Sequence, residues 1–248
     1  DMFGIYALSE QYGFRIIEDA SHAIGARYKN EAIGSCRYSD ITVFSFHPVK
    51  IITTGEGGMA VTNESVLAKK MSLLRSHGIT RNTTEMSQVS HGPWYYQQID
   101  LGFNYRLTDL QAALGLSQLQ RLDEFEVKRH AIANRYEYLL TNLPVVTPLK
   151  HCDSYSSFHL YVIRLNLTQI KKTHREVFEA LRDAGIGVNL HYIPVYRQPY
   201  YESLGFRAGY CSESERYYTE AISLPLYPTL TREQQDYIVS VLQRVVEE

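Results

Sequence analysis

Between Ile17 and Gly58 two short apolar runs each end in residues that carry chemistry, the pattern of neighbouring strands in one sheet. Phe14–Glu18 reads as a strand that runs out into Glu18-Asp19-Ala20-Ser21-His22-Ala23. Ile41–Phe46 alternates Ile, Val and Phe with smaller residues, the period of a half-buried strand, and runs into Ser45-Phe46-His47-Pro48-Val49-Lys50. Thr53-Thr54-Gly55-Glu56-Gly57-Gly58 comes next, and Gly57–Thr62 reads as a third strand entered through glycines. Neighbouring strands of an open α/β sheet present their carboxyl ends to a common crevice, where such sheets bind ligands. Asp19 and Lys50 would meet there.

The rest of the chain supplies helices around this region. Met2, Ile5 and Leu8 at helical spacing predict a helix over Asp1–Gln11 that ends before Gly13, the last helix-to-strand step of an α/β unit; the expectation is that the chain starts inside a domain. Asn63 is placed to cap a helix over Glu64–Ser76, with Val66, Leu67, Met71 and Leu74 on one face. Arg81–Asp100 is polar, aromatic and irregular, and loops of this length are usually functional or mobile. Thr108 and Gln111 form a capping box at the start of one long helix, whose apolar residues run from Leu110 through Phe125 and Ile132 to Leu140. Beyond Pro144 and Pro148 the pattern predicts a strand over Phe158–Leu165 and a helix opened by Thr173 with Glu176 and closed by Gly185. It continues with a strand over Val188–Ile193 and helices opened by Ser212 with Glu215 and by Thr231 with Gln234. We read two domains, 1–123 and a small α+β domain at 124–248 that includes the linking helix.

Composition narrows the function classes. With 44% hydrophobic and 21% charged residues the chain is globular. A net charge of −2 argues for neither nucleic acid nor an anionic membrane as partner, and no apolar run approaches the ~20 residues of a membrane span. The three cysteines are odd in number and widely spaced, so a reducing, cytoplasmic compartment is expected rather than a disulfide framework. The nine histidines are scattered without metal-ligand spacing, and no metal site is expected.

An amine and a carboxylate at adjoining strand ends suit pyridoxal phosphate. The amine forms a Schiff base with the aldehyde, and the carboxylate keeps the ring nitrogen protonated so that the ring acts as an electron sink. Ser45 is placed to bond a phosphate, and the glycines after Lys50 let the backbone turn tightly beside a cofactor. The same spacing also fits an ordinary strand-end acid and a surface lysine.

Five ordered blocks are more specific: Glu18-Asp19-Ala20-Ser21-His22-Ala23-Ile24-Gly25, Phe44 to Lys50, Thr54-Gly55-Glu56-Gly57-Gly58, Arg75-Ser76-His77-Gly78, and Gly102-Phe103-Asn104-Tyr105-Arg106-Leu107. Together with Gln111 to Gly115 and His191-Tyr192-Ile193-Pro194 they resemble the DegT/DnrJ/EryC1/StrS family, fold-type I pyridoxal-phosphate-dependent sugar-nucleotide aminotransferases. The resemblance implies an α/β fold comprising the C-terminal part of the large domain and a small α+β domain. It implies transfer of an amino group from glutamate to a keto group of a nucleotide-linked 4-keto-6-deoxy sugar. Within the family the blocks are most similar to the branch that makes 4-amino-4,6-dideoxy sugars, such as that of the pseudaminic acid pathway.

By the same resemblance Lys50 is the Schiff-base lysine and proton shuttle, Asp19 pairs with the pyridinium nitrogen, His22 bonds the 3-hydroxyl and Ser45 the phosphate. Asn104 reaches the phosphate in the neighbouring subunit, which implies a homodimer with shared sites. His77, His191 and Tyr192 are candidates for the substrate pocket, with Arg75 beside His77; each also fits a structural role. His47, His151 and His159 are read as structural. The family's glycine-rich phosphate loop and ring-stacking aromatic have no counterpart in these residues. Two alternatives are a dehydratase of the same family, which carries His at the lysine position, and a non-catalytic sensory or scaffold relative. Lys50 opposes the first, and the set Asp19, Ser45, Lys50 and Asn104 opposes the second.

Overall fold

Asp1 opens the first helix. Its carboxylate accepts the Gly4 N–H at 3.0 Å, and α1 (Met2–Tyr12) runs to Gly13, whose φ of +72° turns the chain out. The computed structural model describes residues 1–248. The chain then forms β1 (Ile17–Asp19), a hairpin of β2 (Arg27–Tyr28) and β3 (Glu31–Ala32), β4 (Ile41–Ser45), β5 (Gly58–Val61), α2 (Ser65–Arg75), a short ladder of β6 (Ile79–Thr80) with β7 (Gln97–Gln98), and α3 (Asp109–Leu119). It continues through α4 (Leu122–Leu139), β8 (Val145–Val146), β9 (Ser154–Tyr155), β10 (Tyr161–Leu165), α5 (His174–Asp183), α6 (Pro199–Ser203), α7 (Ser212–Glu220), β11 (Ala221–Leu224) and α8 (Arg232–Glu247). No helix is long and apolar enough to cross a membrane.

These elements form two units. The first is Asp1–Leu122 with Asp153–Ser156; the second is Asp123–Cys152 with Ser157–Glu248. In the first, β1, β4 and β5 make a sheet with β4 in the middle. β1 lies parallel to β4 and β5 antiparallel to it. Phe44 and Phe46 alternate inward with Thr42, and Ile51 and Ile52 are buried just beyond the strand. β9 adds to the β2–β3 hairpin.

The second unit holds the larger apolar core. β10 is the centre of an antiparallel sheet in the order β11-β10-β8, and its Tyr161, Ile163 and Leu165 point inward on the period of two that a one-faced strand requires. Against them lie Ile132, Ala133 and Tyr136 of α4, Val177 and Leu181 of α5, and Ile238, Leu242 and Val245 of α8. Each such aliphatic side chain contributes about 1.5–3 kcal/mol when withdrawn from water. The buried Arg129 guanidinium donates to the carbonyls of Phe158 and Leu226 at 3.0 and 3.2 Å, and burial lowers its pKa to about 10.

Four expectations about local structure are corrected. The helix expected from Thr108 to Leu140 is two helices, because α3 ends at Leu119 and α4 starts at Leu122; the apolar period continues across the break and hides it. Asn63 does not cap α2. Glu64 holds that position without a side-chain bond, while the Asn63 amide donates to Ser35 O at 2.8 Å. Ser212 is the first residue of α7 and Cys211 its cap. The segment Val188–Ile193 makes a single bridge, Asn189 with Ser223, rather than a strand. The capping boxes at Thr108, Thr173 and Thr231 form as the sequence predicts.

Candidate active site

The parallel register of β1 with β4 sets Asp19 opposite Val43, and the Ala20 N–H extends the ladder to the Val43 carbonyl at 2.8 Å. Both strands therefore finish at one end of the sheet, where they release Asp19 and Ser45. The Asp19 carboxylate accepts the Ser21 N–H at 3.0 Å and the Ser21 hydroxyl at 2.5 Å. An Asp that bonds two residues ahead is a turn signal readable in the sequence. These bonds hold the Asp19 pKa below the usual carboxylate value, and the fields of His22 and Lys50 act in the same direction.

Lys50 closes the turn His47-Pro48-Val49-Lys50, in which its N–H bonds the His47 carbonyl at 2.9 Å. Proline suits the second position of such a turn. The Lys50 side chain is half-buried. Burial lowers its pKa, opposed by the negative charge of Asp19. The two groups thus lie within each other's electrostatic reach, and the lysine gives up its proton more readily than a solvated one.

The glycine segment sets the path of the backbone after Lys50. Gly57 adopts φ +154°, and a Cβ there would sit 2.3 Å from Thr54 Oγ1; one on Gly58 would sit 2.7 Å from the Phe44 carbonyl oxygen. Helix α3 grips this loop with one face. Gln111 Nε2 donates to Glu56 O at 2.9 Å, Gln118 Oε1 accepts the Thr53 N–H at 2.9 Å, and Gly115 lets Thr54 Cγ2 approach to 2.8 Å of where its Cβ would stand. Residues 111, 115 and 118 share that face by the helical period. Sequence reasoning assigns no role at the site to Ser21 or Gln118; the first is legible as the turn signal, the second only from the packing.

The remaining candidates fall into separate places. The Ser45 hydroxyl accepts the His47 N–H at 3.4 Å, and His47 Nε2 stands 3.8 Å from Glu56 Oε1, on the glycine loop. Asn104 pairs with Ser76 in an isolated bridge, and its Oδ1 accepts Arg106 Nε at 3.1 Å. The His77 N–H donates to Phe103 O at 2.8 Å, and the Arg75 carbonyl accepts the Tyr105 N–H at 3.0 Å. Arg75, His77 and Asn104 therefore form one block. Asp19, His22 and Lys50 form another at the sheet end, with Ser45 closing β4 beside it. His191 and Tyr192 belong to the second unit, where His191 Nδ1 lies 2.7 Å from Ser223 Oγ and the two rings meet edge-on at 4.7 Å.

A sequence profile described as the DegT/DnrJ/EryC1/StrS aminotransferase family matches residues 1–243. The chain belongs to that family. Among DegT relatives it is 37% identical over 249 residues to the spore coat polysaccharide biosynthesis protein SpsC of Bacillus subtilis, covering 99% of this chain and 63% of that one. It is 37% identical to the UDP-4-amino-4,6-dideoxy-N-acetyl-beta-L-altrosamine transaminase of Campylobacter jejuni, covering 100% of this chain and 62% of that protein. Among solved structures it superposes on PseC of Helicobacter pylori, an aminotransferase involved in the biosynthesis of pseudoaminic acid, with a TM-score of 0.89 and 32% identity over 100% of this chain and 63% of that one. The chain thus spans just under two thirds of the length of these DegT relatives. Its fold is the α/β fold-type I architecture of those enzymes.

Proposed function

We propose that the protein is a pyridoxal-phosphate-dependent aminotransferase that moves an amino group from glutamate to the keto group of a nucleotide-linked 4-keto-6-deoxy sugar. The observation that carries this reading is the convergence of Asp19 and Lys50 at one end of the sheet, the amine with a lowered pKa and the acid held ionised. This pair fits the cofactor: a readily deprotonated amine meets an aldehyde, and an acceptor carboxylate meets a ring N–H. When bound, the cofactor supplies the aldehyde that exchanges amino groups and a ring that withdraws electrons.

The chain's own residues do the rest. Lys50 Nζ takes and returns the proton at the reacting carbon, which requires it to pass through the neutral form near neutral pH. The lowered pKa and the rigid glycine loop serve that step. Asp19 Oδ keeps a proton on the ring nitrogen, and Ser21 holds the carboxylate in place. Ser45, His22 and Asn104 are assigned to the cofactor's polar groups and His77 to substrate contact; His191 and Tyr192 are substrate-contact candidates of the second unit.

A nucleotide-linked keto sugar as substrate is supported by the Campylobacter transaminase and the Helicobacter aminotransferase among its relatives. For a homodimer with Asn104 acting across the interface, the exposed apolar residues on and before α3, among them Leu101, Leu110 and Leu116 at 84, 86 and 63% exposure, offer surface for a partner to cover. We place the enzyme in the cytoplasm, where nucleotide sugars and glutamate are available, and assign residues 1–123 to cofactor binding and 124–248 to the C-terminal α+β domain, apart from Asp153–Ser156, which belong to the first unit.

The test is borohydride reduction of the holoprotein followed by peptide mapping, paired with an assay of 2-oxoglutarate formed from glutamate and a UDP-linked 4-keto sugar. The cofactor label is expected on Lys50. A label on Lys69, Lys70 or another lysine overturns the assignment, and absence of 2-oxoglutarate with a correctly labelled protein overturns the substrate.

A further inference from the structure

The loop between β6 and β7 is built rather than loose. Its root is the site's second block: the Ile99 N–H bonds Gly78 O at 2.8 Å and Gln98 Nε2 donates to the His77 carbonyl at 3.0 Å. Glu85 ties its outgoing arm, accepting from Thr80 Oγ1 at 2.9 Å and Asn82 Nδ2 at 2.7 Å while pairing with Lys69 at 2.8 Å. Gln97 ties its returning arm, accepting the Ser87 N–H at 2.7 Å and donating to the Tyr95 hydroxyl at 2.9 Å. At the tip Gly92-Pro93-Trp94-Tyr95 is a turn closed by the Tyr95 N–H on Gly92 O at 3.0 Å.

That turn presents Trp94, the chain's one tryptophan, which is 72% exposed. The indole is nevertheless fixed on one side. A Cβ placed on Gly92, at φ +153°, would lie 2.7, 2.8 and 2.9 Å from three atoms of its six-membered ring. Near-equal distances to three ring atoms describe contact over the ring face, so the glycine backs one face and leaves the other to solvent. A large aromatic held this way carries little conformational entropy to lose on binding, the property that favours aromatic anchors at recognition surfaces.

We propose that Trp94 is a stacking platform for the nucleoside base of the sugar-nucleotide substrate. This rests on the aminotransferase reading above and adds a specificity residue to it. A neutral planar group fits the tip better than the diphosphate, because the loop's two charged side chains lie away from Trp94 in the sequence: Arg81 at its root, and Glu85, already paired with Lys69. Base–aromatic stacking of this kind changes affinity by about tenfold or more.

The experiment is calorimetric titration of the holoprotein with uridine 5′-diphosphate, with ribose 5-phosphate as the ligand that lacks a base, for the wild type, Trp94→Ala and Trp94→Phe. Amino transfer from glutamate is measured in parallel. The expected result is that the wild type binds the diphosphate, Trp94→Ala weakens it about tenfold, Trp94→Phe keeps most of the affinity, and ribose 5-phosphate is indifferent to either change. In turnover, Trp94→Ala should raise KM for the sugar nucleotide and leave kcat near the wild-type value. Equal affinity of the wild type and Trp94→Ala for the diphosphate overturns the platform while active amino transfer keeps the enzyme reading. A wild type that does not bind the diphosphate also overturns it, and the parallel assay then decides the enzyme reading separately. Because Trp94 is exposed, its removal leaves folding intact, which unfolding curves of the two variants check.

Discussion

Gly78 and Gly102 cross backbone to backbone at the base of the block that holds His77 and Asn104, and this crossing predicts one of the most damaging single-methyl additions in the first unit. Gly78 sits at φ +67°, and a Cβ there would stand 1.9 Å from the Asp100 carbonyl oxygen and 2.5 Å from its carbon; one on Gly102 would stand 2.3 Å from Gly78 N. The left-handed conformation alone costs a non-glycine residue roughly 1–2 kcal/mol. The clash adds to it, because the atoms met are backbone and no side chain can swing aside. Forced insertion of a methyl into a packed site costs typically 1–3 kcal/mol. Gly78→Ala should therefore destabilise by about 3 kcal/mol and lower Tm by roughly 6–12 °C at this chain length. Retreat of Asp100 also strains the Ile99 N–H bond to Gly78 O and the path to Asn104, so cofactor content should fall with stability. Gly13→Ala is the matched control. Gly13 has φ +72° with nothing within 4 Å of its Cβ position, so only the conformational part applies, about 1 kcal/mol. The assay is thermal unfolding of the three proteins followed by circular dichroism. A Gly78→Ala protein no less stable than Gly13→Ala would refute the close crossing.

Other outcomes are expected at the sheet end. Asp19→Asn should lower turnover far more than cofactor content, measured by visible absorbance against rate, because the ring-nitrogen proton that the carboxylate holds in place matters chiefly to electron withdrawal by the ring; unchanged turnover would make Asp19 a structural acid. Mixing Lys50→Ala with Asn104→Ala subunits should restore activity towards one good site per heterodimer, and no recovery after verified subunit exchange would place Asn104 on its own chain's cofactor or none. The Lys50 pKa is lowered on folding by burial, so the folded state binds fewer protons and stability should rise with pH between the folded and unfolded values. Lys50→Met should flatten that slope in denaturant titrations across alkaline pH, and an unchanged slope would deny the shift.

What can be read from the chain order alone is local. The three capping boxes are legible because donor and acceptor lie three residues apart, and each forms. The strand over Ile41–Ser45 and the glycines after Lys50 are legible because alternation and positive φ are properties of a few adjacent residues. The motif blocks likewise mark the chain as a DegT family member, since they are short and ordered along the sequence. Asn63 shows where this ends. Its amide has the chemistry of a cap, yet Ser35 O, 28 residues earlier, takes it. The break between α3 and α4 is hidden because the apolar period runs through it, and β11 is not anticipated because it pairs with β10 across more than 50 residues.

The candidate site divides in the same way. That Asp19 and Ser45 end strands and Lys50 follows one is written in the sequence. That Asp19 and Lys50 lie within reach of each other depends on the parallel register of β1 with β4. That the glycine loop holds its shape depends on Gln111, Gly115 and Gln118 of a helix more than 50 residues away. Trp94 is visible in the sequence only as an aromatic in a long loop; its bare outer face comes from Gly92 packing on the inner one. Hydrogen-bond partners and periodicity are fixed by neighbours along the chain, whereas register, close backbone crossings and pKa shifts are set by atoms that only the fold brings together.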